Sequence, residues 1–205
     1  MTGATRTSVQ TTIAAFILCW AAMPGVAAEQ AVNNKDVAKY LTEAKDLVGA
    51  KRWDAAWAAL EKAQRVPDLS PYAREKIDEY KAYVLTQQRK YAEAGAVFEQ
   101  LAKSASATAD ERNDRLKKAA QSYMSAKQYE KSTRVAEAAL EKQPNDPALL
   151  QLAGQSKYLA GDYRGAAVRI TQLVAATERK GGQPQEASLQ ILLDSYYKLS
   201  DRKQV

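Results

Sequence analysis

Four aromatic residues recur along this 205-residue chain at a spacing that few folds accommodate. Trp53, Tyr91, Tyr129 and Tyr163 are separated by 38, 38 and 34 residues. Each follows a short polar turn and opens a run of helical periodicity, as in Lys51-Arg52-Trp53-Asp54-Ala55-Ala56 and Ala160-Gly161-Asp162-Tyr163-Arg164-Gly165-Ala166. Three residues after each aromatic stands a small residue: Ala56, Ala94, Ser132 or Ala166. Seven residues after it stands Leu60, Phe98, Ala136 or Ile170. Such positions share one face of a helix, and short side chains there let paired helices approach closely. A second helical run precedes each aromatic; in the first copy Val37, Tyr40, Leu41, Ala44, Leu47 and Val48 carry it. Self-similarity at this period is the mark of a repeat architecture.

The punctuation between runs agrees with two helices per repeat. Ser70-Pro71 and Asp146-Pro147 each place a capping side chain before a proline, whose missing N–H costs nothing in a first helical turn. Thr108-Ala109-Asp110-Glu111 has the spacing of a capping box. Lys103 to Thr108 reads as a polar loop, and Arg179-Lys180-Gly181-Gly182-Gln183-Pro184 breaks the chain before a ninth helix over Glu186 to Leu199. No alternating run of β-branched or aromatic residues predicts a strand.

These residues resemble the tetratricopeptide repeat (TPR) family: two helices per 34 residues, an aromatic opening the second, and a proline near the close, as in Gln143-Pro144-Asn145-Asp146-Pro147. The resemblance implies an all-α, right-handed α-solenoid of stacked antiparallel helix pairs. It covers pairs at approximately 35–66, 71–104, 109–143 and 146–178 and a terminal helix at 185–200, within a repeat domain spanning 29–205. The family's first-helix glycine appears once, as Gly154, with Ala44, Ala82 and Ala120 at the equivalent places. Lys157 stands where the family has an aromatic, with Tyr158 next to it, and the two 38-residue intervals require longer turns.

Residues 1–28 read as a cleavable secretory signal peptide. Arg6 is their one charge, Ile13 to Met23 is an apolar run of 11 residues, Pro24-Gly25 breaks it, and Val26-Ala27-Ala28 offers small residues for cleavage. A membrane-spanning helix needs about 20 apolar residues. Leu18 before Cys19 argues against a lipoprotein site, where a small residue is expected. Cleavage would remove Cys19, the sole cysteine, and leave a core without disulfides in an oxidising compartment. The expectation is a periplasmic or secreted bacterial protein without a stable membrane anchor. Positive charge is mild and dispersed: 13 basic against 13 acidic residues in Glu29–Asp110, and 16 against 11 in Glu111–Val205. With no run of five like charges, it predicts a solvated helical surface rather than a nucleic-acid partner.

The sequence offers no chemistry. The chain has no histidine, the commonest general base and metal ligand. Neither a thiolate zinc set, a phosphate loop nor a G-x-S-x-G elbow is present. Acidic pairs such as Asp78-Glu79 sit on charged helix surfaces rather than in a cleft that would separate their pKa values. We therefore expect no catalytic residue, no metal and no cofactor.

A solenoid of helix pairs presents a concave face lined by its first helices, along which a peptide or a partner helix can lie. Carrying the family's contact pattern onto this chain gives Lys76, Glu79, Tyr83 and Gln87 in the second pair. It gives Lys117, Gln121, Met124 and Ser125 in the third, Gln151, Gln155 and Tyr158 in the fourth, and Asp194 and Tyr197 in the last helix. Tyr83, Met124, Tyr158 and Tyr197 are the apolar anchors of that set, though each tyrosine equally suits packing between repeats. The implied function is an exported scaffold for protein–protein interaction in a cell-envelope complex. The alternatives are a non-catalytic accessory subunit of envelope glycan-processing or polysaccharide-export machinery, or a fragment of a longer repeat protein. The partner is a protein or peptide, and the chain itself is a monomer or a weak homodimer through its C-terminal helix.

Overall fold

The computed structural model describes residues 34–201, all of them helix, turn or loop. The segment read as a signal peptide lies outside the described residues. Among the described residues nine helices follow one another: α1 (Lys35–Gly49), α2 (Trp53–Gln64), α3 (Pro71–Gln87), α4 (Tyr91–Ala102), α5 (Ala109–Ser125), α6 (Tyr129–Leu140), α7 (Pro147–Leu159), α8 (Tyr163–Arg179) and α9 (Glu186–Asp201). Each repeating aromatic is the first residue of a second helix.

First and second helices begin differently. Side chains cap α1, α3, α5 and α7. Asn34 accepts from the N–H of Asp36, Ser70 from Ala73, Thr108 from Glu111 and Asp146 from Leu149. At α5 the capping box closes, because Glu111 also accepts from the Thr108 N–H at 2.9 Å. The starts of α2, α4 and α6 have no side-chain cap. They follow instead a tight turn built the same way in all four pairs. Lys51, Arg89, Lys127 and Gly161 adopt φ of 57, 61, 59 and 82°. The next residue donates its N–H to a carbonyl of the preceding helix, Arg52 to Leu47, Lys90 to Leu85, Gln128 to Tyr123 and Asp162 to Lys157. That is a left-handed helix stop satisfying the last carbonyls of one helix while aiming the next back along it.

Helices stack in chain order. The first helices also touch one another, α1 with α3, α5 with α7 and α7 with α9, so they form one layer. Arg134–Glu99 and Arg169–Glu137 ion pairs tie the second helices α4, α6 and α8 into the other layer. This is an α-solenoid of antiparallel helix pairs. Its close approaches fall where small residues stand: Ala56, Ala94, Ser132 and Ala166 are all fully buried. The Ser132 hydroxyl sits 2.7 Å from that of Ser156 and donates to the Ala120 carbonyl, which satisfies two polar groups in the core. At Gly154 the helices approach closely, since a Cβ there would meet Cδ1 of Ile170 at 2.5 Å.

Most buried apolar side chains fall into two clusters. One joins α1, α2 and α3 around Val37, Leu60, Ile77 and Val84. The other joins α5 to α8 around Leu149, Leu150, Val135 and Ile170, with Phe98 of α4 and Ile191 and Leu192 of α9 packed against it.

Candidate partner-binding face

The residues proposed from sequence lie on α3, α5, α7 and α9, four of the five first helices. All but Gln87, Ser125 and Tyr197 are half-buried. The repeat intervals sort them into rows. Glu79, Lys117 and Gln151 hold equivalent positions, as do Tyr83, Gln121, Gln155 and Asp194, and as do Met124, Tyr158 and Tyr197.

The first row is engaged within the molecule. Arg115 donates to Glu79 at 2.9 Å and also to Glu75, and Lys76 pairs with Glu79 at 2.7 Å. Lys117 reaches Asp146 at 2.6 Å. Ser188 donates to Gln151 at 2.8 Å. These links staple α3 to α5, α5 to α7 and α7 to α9. Burial alone would raise Asp146; Lys117 and the backbone N–H groups at the α7 start outweigh it and hold its carboxyl below the usual range. Burial likewise opposes Glu75, and Ser106, Arg115 and Ser104 together hold it low.

The last row is aromatic and apolar. Tyr158 donates to Asp194, and its ring lies 5.6 Å from that of Tyr163. The hydrogen bond to Asp194, with burial behind it, pushes the Tyr158 hydroxyl up to about 12. Tyr158 therefore takes part in the packing of α7 against α8 and α9. Tyr83, which belongs to the middle row, meets Trp53 edge-on at 6.1 Å. Met124 packs partly against the larger core cluster.

The middle row differs. Gln121 and Gln155 make no side-chain hydrogen bond among the described residues, and neither does Gln87 at the end of α3. An amide side chain offers both a donor and an acceptor without charge. Two such amides, half-buried at equivalent places on successive first helices, lie between a row of satisfied ion pairs and a row of apolar side chains.

Sequence reasoning missed Arg115, which is 6% exposed and anchors the first row by donating also to the Leu101 carbonyl at 2.9 Å. Its spacing from Glu75 and Glu79 crosses one repeat, so only the repeat register could have paired them. Lysines over aromatic rings were also missed: Lys81 lies 5.0 Å over Trp57 and Lys131 5.4 Å over Tyr123. On the opposite layer, a shallow cleft between α6 and α8 is lined by Glu137, Pro144, Arg169 and Arg179. Its Arg169 is committed to Glu137, and the cleft brings no reactive group together. Among the described residues no cluster suits a metal ion, and no helix is long and apolar enough to cross a membrane.

No family model and no curated protein matches this sequence. Solved structures do match in shape. MamA from residue 41 to its end, from Desulfovibrio magneticus RS-1, superposes with a TM-score of 0.60 at 15% identity, covering 83% of this chain and 89% of that one. Nearly identical TPR-like repeats of a Podosopora anserina kinesin light chain protein give 0.57 at 17% identity, covering 82% and 88%. The fold is TPR-like. At these identities the likeness is one of architecture, and the inner face of this TPR-like solenoid has to be read from its own residues.

Proposed function

We propose that this chain is an exported, non-catalytic scaffold whose inner face holds an extended segment of a partner protein in a cell-envelope complex. The observation that carries the reading is the pair Gln121 and Gln155, at the same height on α5 and α7 with their amides uncommitted. A peptide backbone presents alternating N–H and C=O groups, and an amide can answer either one. Tyr83 stands on that line, Met124, Tyr158 and Tyr197 flank it, and together they offer aromatic and thioether surface to apolar side chains of the segment. The charged groups nearby are already paired, so the groove favours an uncharged stretch over an acidic or basic tail. Export rests on the composition of residues 1–28, and the envelope setting follows from export.

Charge placed in the groove tests this. Gln121→Lys with Gln155→Lys is expected to abolish capture of the partner from solubilised envelope. Ala138→Lys, at an exposed place on α6 in the other layer, is expected to leave it intact. Retention by the groove variant, or equal loss in both, would sink the assignment of this face.

A further inference from the structure

One first-helix position breaks the repeat pattern. The intervals that align the pairs set Asp78 of α3 level with Tyr40, Leu116 and Leu150. Leu150 is fully buried, and Tyr40 and Leu116 pack against the apolar clusters. The sequence context of Asp78 predicts a charged helix surface; the structure half-buries it instead. Its carboxylate makes no hydrogen bond and no ion pair among the described residues. Burial pushes that carboxyl up, and the charge of Lys81 opposes the shift only in part. The Lys81 ammonium is held elsewhere: it donates to Gln64 and lies 5.0 Å over the Trp57 ring.

Asp78 lines a cleft of about 350 Å³ between the end of α2, the turn after it, α3 and α4. Ligand sites run from roughly 300 to 1,000 Å³, so this one suits a small molecule. Val66, Leu69 and Ile77 give the cleft an apolar side. Arg74 and Asp68 also line it, both exposed, and neither side chain makes a hydrogen bond or ion pair among the described residues. Arg74 and Asp78 stand four residues apart on α3, which makes them neighbours on one helix face. With Lys81 counted, two cations and two carboxylates stand at or beside the cleft. That balance favours a ligand of no net charge over a plain amine or a plain acid. In an α-amino acid the ammonium and the carboxylate hang from one carbon, so groups one helical turn apart can meet both at once.

We propose that this cleft binds a free α-amino acid with an aliphatic side chain, its ammonium on Asp78 with Asp68 as a second acceptor, its carboxylate on Arg74, and its side chain against Val66, Leu69 and Ile77. The site shares no residue with the partner-binding face, so it stands or falls apart from the scaffold reading.

Titration of the purified chain with L-leucine, followed by amide chemical shifts, tests the proposal, with isoamylamine and isocaproate as the two halves of the ligand. Saturable shifts are expected at the end of α2, in the turn after it and in the first half of α3, with leucine bound at least about tenfold more tightly than either half. Asp78→Asn keeps the shape of the cleft and removes the charge, and weakens leucine at least about tenfold. Asp78→Leu installs the residue found in the third and fourth pairs; it abolishes binding and leaves the melting temperature at or above wild type, which separates loss of the site from loss of the fold. Arg74→Gln weakens leucine and leaves isoamylamine unchanged. Absence of saturable shifts at millimolar leucine overturns the proposal, and so does binding undiminished by Asp78→Asn. Isoamylamine bound as tightly as leucine overturns the zwitterionic ligand.

Discussion

Single residues carry more than one duty here, and Gly154 and Tyr158 show it from opposite directions. Gly154 is legible in sequence as the close-approach glycine of a TPR-like pattern, and the structure supplies the partner: a Cβ would meet Ile170 Cδ1 at 2.5 Å and Cγ1 at 2.8 Å. Ile170 is fully buried, so it has little room to withdraw. Gly154→Ala is expected to cost about 1–3 kcal/mol by overpacking, despite the better helix propensity of alanine. Ile170→Val removes the nearer atom, and denaturant titration of the double variant should show a cost smaller than the sum of the two single ones. Tyr158 was legible only in part. Its place on a first helix follows from the 34-residue register, but its bond to Asp194 and its contact with Tyr163 join residues 36 and five positions away. A one-dimensional spacing argument assigns a side chain to a face. It does not tell whether a neighbour on the next helix has already claimed its polar end.

At the scale of the helix, the boundaries were read from aromatics and caps, and the all-helical pair architecture follows from them because each cue acts locally. Ser70, Thr108 and Asp146 satisfy N–H groups within three residues of themselves, so sequence alone reveals them. The turn inside each pair was harder to see. All four share one left-handed residue two places before the aromatic, yet only Gly161 advertises it; Lys51, Arg89 and Lys127 reach positive φ without a glycine. An L-residue in that region is strained by roughly 1 kcal/mol, and the strain is offset by the carbonyls that the turn satisfies. Lys127→Gly should therefore stabilise the protein by about 0.5–1 kcal/mol, visible as a melting point raised by a few degrees. Gly161→Ala should lower it. If both changes moved the melting point in the same direction, the shared geometry assigned to these turns would be wrong.

At the scale of the whole molecule, stability of a repeat array is a sum of units and of the interfaces between them, and one interface here is unlike the others. Between α3 and α5 backbone approach is weaker than at the other steps of the first-helix layer, and α4, with buried Leu101 and Ala102, fills the space between the two apolar clusters. Arg115 links α5 to α3 directly, donating to Glu75 and Glu79 and to the Leu101 carbonyl, while Ser106 and Ser104 of the long turn donate to Glu75. Removing one member of a buried ion cluster strands the rest, so Arg115→Met is expected to destabilise by about 3 kcal/mol at neutral pH. The acid side distinguishes a charge effect from a packing effect. In the native protein Glu75 is held below its ordinary value, so its contribution is present above the unfolded carboxyl range near pH 4 and is lost as pH falls through the folded value. Without Arg115, only Ser106 and Ser104 oppose burial at Glu75, so its carboxyl is held less low and acid costs the variant less. The stability gap between wild type and Arg115→Met, from urea unfolding, should then be steady from pH 8 to 5, where a chain without histidine has no side chain of ordinary pKa to titrate. It should close steeply below about pH 4. A gap that stayed constant into acid would mean that Arg115 bridges the two clusters by its bulk alone, and that the seam is not electrostatic.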